Sequence, residues 1–177
     1  MTPTQQAILD AAAQVITRDG AARLTLDAVA REAGVSKGGL LYHYPSKDAL
    51  LEAALDAHLS AFEAELTARE SADPGTRGRF ARANFEATVG GDPQPDASAA
   101  IIAAIALNPE LLVPVRERYA GWRARAEADG LSPGLGTLIA LAADGLWLAD
   151  LFGLGAPDGE TRAALQATVA RLTGGRS

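Results

Sequence analysis

The chain has 177 residues, of which 48% are hydrophobic and 21% charged, and a formal net charge of -6 at pH 7, a balance typical of a globular protein. The absence of cysteine excludes disulfides and thiolate sites, and two histidines far apart in sequence leave little for metal catalysis. No apolar run approaches the roughly 20 residues that span a bilayer, and Asp10 and Gln14 interrupt the segment where a signal peptide is apolar. These features predict a cytoplasmic protein with no membrane partner.

The charge is distributed unevenly along the chain. Residues 1–47 carry five basic and four acidic side chains, a local charge of +1. Residues 48–177 carry 11 basic and 18 acidic side chains, a local charge of -7. The N-terminal segment is therefore the part of the chain best suited to approach a polyanion.

The first 70 residues have the pattern of four helices. Apolar residues recur at helical spacing and no strand-type alternation is present, which predicts an all-α fold. The first helix ends at Gly20, the second stops at Gly34, and a long fourth helix runs from Lys47 toward Ser71. Hydroxyl side chains suited to cap a helix precede the four helices at Thr2, Thr25, Ser36 and Ser46.

Five further helices are predicted after an Asp73-Pro74-Gly75 break, which gives about nine helices in all. We expect Pro114 to kink the third of the five, Ser132-Pro133 to cap the fourth and Asp158 to cap the last. The expected spans are residues 76–89, 96–107, 108–130, 132–154 and 158–172.

The segment from Thr25 to Lys47 is the most informative part of the chain. It has the pattern of a helix-turn-helix, in which Gly34 takes the left-handed conformation of the turn. Apolar residues stand where the helices must pack, at Leu26, Val29, Ala30, Val35 and Leu40. Polar or small residues remain at or beside the third helix, whose early residues would face base edges in a major groove: Ser36, Lys37, Gly38, Gly39, Tyr42 and His43.

Several of these residues also have plainer explanations. Adjacent glycines in a short helix cost about 1 kcal/mol each relative to alanine, so they either let the backbone approach DNA or are tolerated at the surface. Tyr42 and His43 could be packing residues, although so short a helix has little room to bury both faces. Lys47 could bind a phosphate or be an ordinary surface lysine.

The segment from Thr25 to Leu50, with its Ala-Gly-Val-Ser turn and its Pro-Ser-Lys-Asp-Ala-Leu start of the fourth helix, resembles the N-terminal domain of tetracycline-repressor (TetR) family regulators. The resemblance implies a homodimer that reads a palindrome in double-stranded operator DNA. It implies that Thr25 and Tyr42 contact phosphates, that Ser36, Lys37, Gly38, Gly39 and His43 face the groove, and that Lys47 holds the backbone. The chain departs from the family at Leu41, where a tyrosine is usual.

The remainder of the chain is expected to serve dimerisation and ligand binding. We place a helix-turn-helix domain at residues 1–47 and a helical ligand-binding and dimerisation domain at residues 48–177. The 132–154 helix is apolar on nearly all sides, which indicates burial on a core face and a partner face, and its small residues would let a partner helix approach closely. The small residues are Ala142, Gly145 and Ala149. The last helix has a matching apolar stripe, Leu165, Val169 and Leu172. These two helices, with their copies from a second protomer, would form a four-helix interface.

Aromatic residues in this part could line an apolar inducer pocket or be plain core: Phe62, Phe85, Tyr119, Trp122 and Trp147. Asp144 requires a partner in so apolar a helix, either an arginine such as Arg123 or Arg125 at an interface, or a ligand in the pocket. Arg77, Arg79 and Arg82 are most simply a solvated basic face.

The sequence thus predicts a ligand-responsive repressor that a small apolar inducer releases from DNA. The alternative is a TetR-like protein that acts through a protein partner, with a helix-turn-helix that does not bind DNA. An enzyme is a third class, which we do not favour because no phosphate loop or catalytic constellation is present. No cofactor and no metal ion are expected.

Overall fold

The computed structural model describes residues 1–20, 23–90 and 109–174, and these residues form eight α-helices and one short 3-10 helix with no strand. The all-α prediction is therefore confirmed. The predicted helix at residues 96–107 lies outside the described residues. The helices are α1 (Pro3–Asp19), α2 (Leu26–Glu32), α3 (Lys37–His43), α4 (Lys47–Ala72), α5 (Arg79–Val89), the 3-10 helix (Pro109–Leu112), α6 (Val113–Glu127), α7 (Leu135–Phe152) and α8 (Gly159–Thr173).

Side-chain caps set the starts of five helices where the sequence predicts them. In each case a side-chain oxygen accepts a hydrogen bond from a backbone N–H three residues later, which satisfies a donor that the helix itself leaves unpaired. The capping residues are Thr2 (3.3 Å), Thr25 (3.2 Å), Ser36 (3.0 Å), Ser46 (3.0 Å) and Asp158 (2.8 Å).

Two local predictions in the second half are wrong. Pro114 is the second residue of α6, which follows the 3-10 helix, so it lies in a first turn and not in the interior of a longer helix; a proline there removes an N–H that has no helical partner. The helix predicted to follow a Ser132 cap begins instead after Gly134, which has a left-handed conformation and no side-chain cap. Gly136 then lies against the carbonyl of Ala126 so closely that any Cβ would collide with it.

The chain divides into two compact units. The first contains Met1–Leu59 and the described part of Gln94–Val115, and the second contains the described parts of Ser60–Pro93 and Arg116–Ser177. The division therefore falls inside α4 and inside α6, whereas the domain boundary proposed at residue 47 marks the start of α4 and stays a prediction. In the first unit α2 packs against α1 and α3, and the most deeply buried side chains include Ile8, Val15, Leu24, Val29 and Leu40.

Two apolar clusters fill the second unit, and α5 contributes to both. On one side α5 packs against α7 and α8, and the buried residues of that cluster are Ala81, Phe85, Val89, Ile139, Ala143 and Val169. On its other side Phe80 and Ala83 pack with Leu66 and Ala126, and Phe62 and Trp122 lie against this second cluster.

Arg82 contradicts the expectation of a solvated basic face, because it is only 5% exposed. Its Nε donates to Asp73 Oδ2 at 2.7 Å, and its Nη1 donates to the carbonyl of Arg77 at 2.9 Å and to Thr173 Oγ1 at 3.0 Å. The guanidinium thus joins the start of α5 to the end of α8. A buried arginine with this set of partners holds structure together rather than presenting charge to solvent.

The helix α7 is apolar but poorly covered by its own chain. It is the described helix that is long and apolar enough to cross a membrane, although only 17% of that segment is buried. Large apolar side chains remain exposed on it, at Leu138, Leu141, Leu148 and Phe152, and Leu154 and Leu172 are exposed beyond its end and on α8. Length and composition alone do not separate a membrane helix from one that another protein surface covers.

Candidate nucleic-acid interface and cavity

A tight turn between α2 and α3 positions the candidate DNA-contacting helix. Gly34 has a φ of 67°, a left-handed conformation that favours glycine, and Val35 N–H donates to the carbonyl of Ala30 at 3.0 Å. Val29 on α2 and Leu40 on α3 are fully buried. Because the buried side of α3 is fixed in this way, its opposite side must face solvent.

The exposed side of α3 carries an aromatic side chain with no packing role. Tyr42 is 85% exposed, so the structure disfavours the explanation that it is a packing residue, whereas His43 is half-buried beside it with ring centroids 5.1 Å apart. Leu41, at the position where the family usually has a tyrosine, is 37% exposed. Among the large apolar and aromatic side chains of α3, Tyr42 is the most exposed.

The paired glycines differ in their surroundings. A Cβ at Gly38 would meet no atom within 4 Å, whereas a Cβ at Gly39 would lie 3.2 Å from Oγ of the capping Ser36. Gly39 therefore has a local reason to be small, since its own N–H completes the Ser36 cap. Gly38 has no such reason among the described residues, so both explanations for it, close approach of DNA to the backbone and a tolerated surface glycine, stay open.

The basic side chains of the first unit are partly engaged in ion pairs. Lys37 Nζ lies 3.0 Å from Asp27 Oδ2 with both side chains more than half exposed, so this pair contributes little stability. Arg18 pairs with Glu32 at 2.8 Å and with Asp19, and the hydrogen bond from Arg18 lowers the pKa of Asp19. Lys47 is half-buried at the first residue of α4.

Four of the residues proposed for a ligand pocket line one cavity in the second unit: Phe62, Tyr119, Trp122 and Asp144. The cavity encloses about 60 Å³, against the roughly 300 to 1,000 Å³ of sites for drug-sized ligands. Its other lining residues were not predicted: Phe80, Asn84, Arg123, Ala126, Thr137, Ala140 and Leu141. Helical spacing is the signal that could have found them, because residues 119, 122, 123 and 126 share one face of α6 and residues 137, 140, 141 and 144 share one face of α7.

The two other proposed pocket residues do not join this cavity. Phe85 is 1% exposed within the apolar cluster that α5 forms with α7 and α8. Trp147 is half-buried on α7 and is not among the lining residues. Phe80, five residues before Phe85 on α5, faces the cavity in its place.

Asp144 is a half-buried carboxyl group with one hydrogen bond. Tyr119 Oη donates to Asp144 Oδ1 at 3.4 Å. Burial raises the pKa of Asp144, while the hydrogen bond from Tyr119 and the charge of Arg123 act in the opposite direction. Burial and the neighbouring carboxylate raise the pKa of Tyr119 to about 12. Of the two arginines proposed as partners, Arg123 lines the cavity, whereas Arg125 pairs with Glu70.

Metal ligation is not supported in the described ranges, where no group of three histidine or carboxylate side chains is placed to hold an ion.

Comparison with known proteins matches two family models to this chain. The model for bacterial regulatory proteins of the tetR family matches residues 8–54, and the tetracyclin repressor-like C-terminal domain matches residues 78–174, which is more than half of the chain. The HTH-type transcriptional regulator SrpR of Pseudomonas putida is 38% identical over 64 residues, which cover 36% of this chain and 30% of that protein.

Solved structures extend the likeness along the chain. A TetR family member from Streptomyces coelicolor is 28% identical with a TM-score of 0.70, covering 97% of this chain and 99% of that one. The multidrug binding protein EbrR, solved with malachite green, is 26% identical with the same TM-score and the same coverage.

Proposed function

Because the chain belongs to the TetR family of bacterial transcriptional regulators, we propose that it is a repressor whose homodimer grips a palindromic operator. Each α3 would enter a major groove, with the two copies about 34 Å apart. The observation that carries this proposal is the exposed face of α3, where Tyr42 projects into solvent from a helix fixed by Leu40 and Val29. Tyr42 and Thr25 would contact phosphates, Ser36 to Gly39 and His43 would face the bases, and Lys47 would bind the adjacent backbone.

The exposed apolar surface of α7 supports the proposed homodimer. Isolated monomers rarely expose so many large apolar side chains on one helix, and a second copy of α7 and α8 would cover them. A Cβ at Gly145 would meet no atom within 4 Å, so this small residue leaves a partner helix room to approach. We expect Gly145→Glu to convert the dimer to a monomer in light scattering. Gly121→Glu, at an equally open helical glycine on α6, should leave a dimer; a monomeric parent protein would contradict the proposal.

The cavity of the second unit supports regulation by a small molecule. Four of its eleven lining residues are aromatic, and the similar EbrR has been solved with malachite green. We place the inducer in this cavity and expect it to weaken operator binding about 5- to 150-fold, the usual range of coupling between two sites. Phe62, which lines the cavity, is a residue of α4, and α4 begins with Lys47 directly after the helix-turn-helix. The protein is proposed to act in the cytoplasm, without catalytic activity or a cofactor.

Fluorescence anisotropy with labelled DNA from the promoter beside its own gene tests the DNA role. Tyr42→Ala and Lys47→Ala are each expected to weaken binding about tenfold, because each removes a contact with the DNA backbone from both protomers. Arg116→Ala, which removes an exposed positive charge from α6, is the matched control and should change little. If neither Tyr42→Ala nor Lys47→Ala changes the affinity, the role assigned to this surface is refuted.

A further inference from the structure

We infer that the effector of this protein is an organic cation, an ammonium or similar group on an apolar or aromatic body, held by Asp144 and the aromatic rings around it. This inference rests on the proposed function of the cavity as the effector site. It goes further by assigning a positive charge to the ligand. The prediction of an apolar pocket from the sequence does not specify that charge.

Three of the four aromatic side chains that line the cavity form one continuous group. The ring centroid of Trp122 lies 5.2 Å from that of Phe62 and 5.1 Å from that of Tyr119, and both pairs are tilted rather than stacked. A cation placed over the face of such a ring is attracted by its negative π-surface, most strongly for tryptophan. The rings must separate to admit a ligand, since the enclosed volume of about 60 Å³ holds only a few water molecules.

Asp144 supplies the matching negative charge. Its hydrogen bond from Tyr119 is 3.4 Å long, well beyond the roughly 2.5 to 2.7 Å of a strong bond from a hydroxyl to a carboxylate. Among the described residues Asp144 forms no ion pair, although it is half-buried in an apolar helix. A carboxylate in such a place is costly unless it gains a partner, and a ligand cation would provide one.

Two features of the cavity would favour ligands other than a cation, so the test must compare ligands of different charge. Arg123 lines the cavity, although it is exposed, and would attract an anion. The indole N–H of Trp122 is buried without an acceptor and would favour a ligand that carries one. The side chain of Asp144 is more buried than that of Arg123, so its charge is less screened by water and should decide the preference.

Three probes of nearly equal shape and different charge test the inference: phenyltrimethylammonium, tert-butylbenzene and benzenesulfonate. Their affinities for the full-length protein would be measured by ligand-observed NMR at pH 7.5. We expect the cation to bind about tenfold more tightly than the neutral compound, and the anion to bind most weakly. Asp144→Asn should abolish the advantage of the cation and leave the affinity for tert-butylbenzene within about twofold. Asp150→Asn, on the same helix but outside the cavity, should retain it.

The pH dependence of the parent protein gives a second measurement that needs no variant. The other titratable groups that line the cavity are Tyr119 and Arg123, and burial and the neighbouring carboxylate raise the pKa of Tyr119 to about 12, so Tyr119 stays neutral below pH 7.5. Burial raises the pKa of Asp144, so this carboxylate takes up its proton at a higher pH than an exposed aspartate. As the pH is lowered from 7.5, the affinity for phenyltrimethylammonium should therefore fall while that for tert-butylbenzene stays constant.

Equal affinity for the charged and neutral probes, a preference for benzenesulfonate, or no binding of the cation at millimolar concentration would each overturn the inference. So would an equal loss of both affinities in Asp144→Asn. Operator binding in the absence of any probe tests the proposed function separately: if the protein binds operator DNA but shows no preference for the cation, only the charge assigned to the effector is wrong.

Discussion

Removing the buried guanidinium of Arg82 is expected to destabilise the second unit, because its partner Asp73 would lose the opposite charge. The guanidinium pairs with Asp73 at 2.7 Å, and its Nη1 donates three further hydrogen bonds, to Arg77 O at 2.9 Å, to Thr173 Oγ1 at 3.0 Å and to Thr173 O at 3.3 Å. Arg82→Leu keeps most of the apolar volume but leaves the Asp73 carboxylate without its partner. The variant also removes the donor from the three oxygens to which Nη1 donates.

Removing one partner of a buried ion pair costs about 3 to 5 kcal/mol, because the remaining charge stays uncompensated. The side chain of Asp73 is 20% exposed, so water relieves part of this penalty and the lower end applies, about 3 kcal/mol. That is a large fraction of the roughly 5 to 15 kcal/mol by which domains are stable. The variant should therefore unfold at a clearly lower urea concentration.

Urea unfolding followed by circular dichroism at 222 nm, at pH 7 and one fixed protein concentration, measures this difference. Arg69→Leu is the control, since Arg69 also pairs with carboxylates, those of Glu65 and Glu86, but its side chain is 33% exposed. The control should lose only about 0 to 1 kcal/mol. If Arg82→Leu loses no more than Arg69→Leu, the buried pair does not have the role described.

Three further predictions follow from local geometry. Arg82 lowers the pKa of Asp73 in the folded protein, so this pair stabilises the fold above the pKa that Asp73 has in the unfolded chain. That stabilisation is lost as the pH falls through the pKa of Asp73 in the folded protein. The stability of Arg82→Leu should therefore lack this part of the dependence on pH. Gly136→Ala should cost about 1 to 3 kcal/mol through collision with a backbone carbonyl, whereas Gly121→Ala, at an open helical position, should stabilise by up to about 1 kcal/mol in thermal unfolding. Ser36→Ala should cost about 1 kcal/mol by removing the cap of α3, and hydrogen exchange of the Gly39 amide should accelerate.

The helix starts could be predicted where the signal is local. Thr25, Ser36 and Asp158 each accept from a backbone N–H only three residues away, so sequence spacing alone specifies the contact. The turn at Gly34 is local in the same sense, because the left-handed conformation depends on one residue. The resemblance of Thr25 to Leu50 to a known family then supplied what local patterns do not contain, the expectation of DNA binding.

The errors arise where distant parts of the chain decide the outcome. Arg82 looks like a surface arginine in sequence, but Thr173, 91 residues later, receives one of its hydrogen bonds. Gly136 is required by the carbonyl of Ala126 on a different helix, and no capping pattern reveals that contact. Phe80 and Phe85 are alike in sequence, yet they lie on different sides of α5, so one borders the cavity and the other joins the core.

The salt dependence of operator binding tests the central claim most directly. If α3 and the start of α4 bind the DNA backbone, the logarithm of the affinity for operator DNA should decrease steeply and linearly as the logarithm of the salt concentration rises. The reason is that phosphates release their counterions when the protein binds them. Lys47→Ala should reduce that slope by about 2 for the dimer, nearly one for each lost phosphate contact. An affinity that does not change with salt, with the same value in Lys47→Ala, would contradict DNA binding by this surface and favour action through a protein partner.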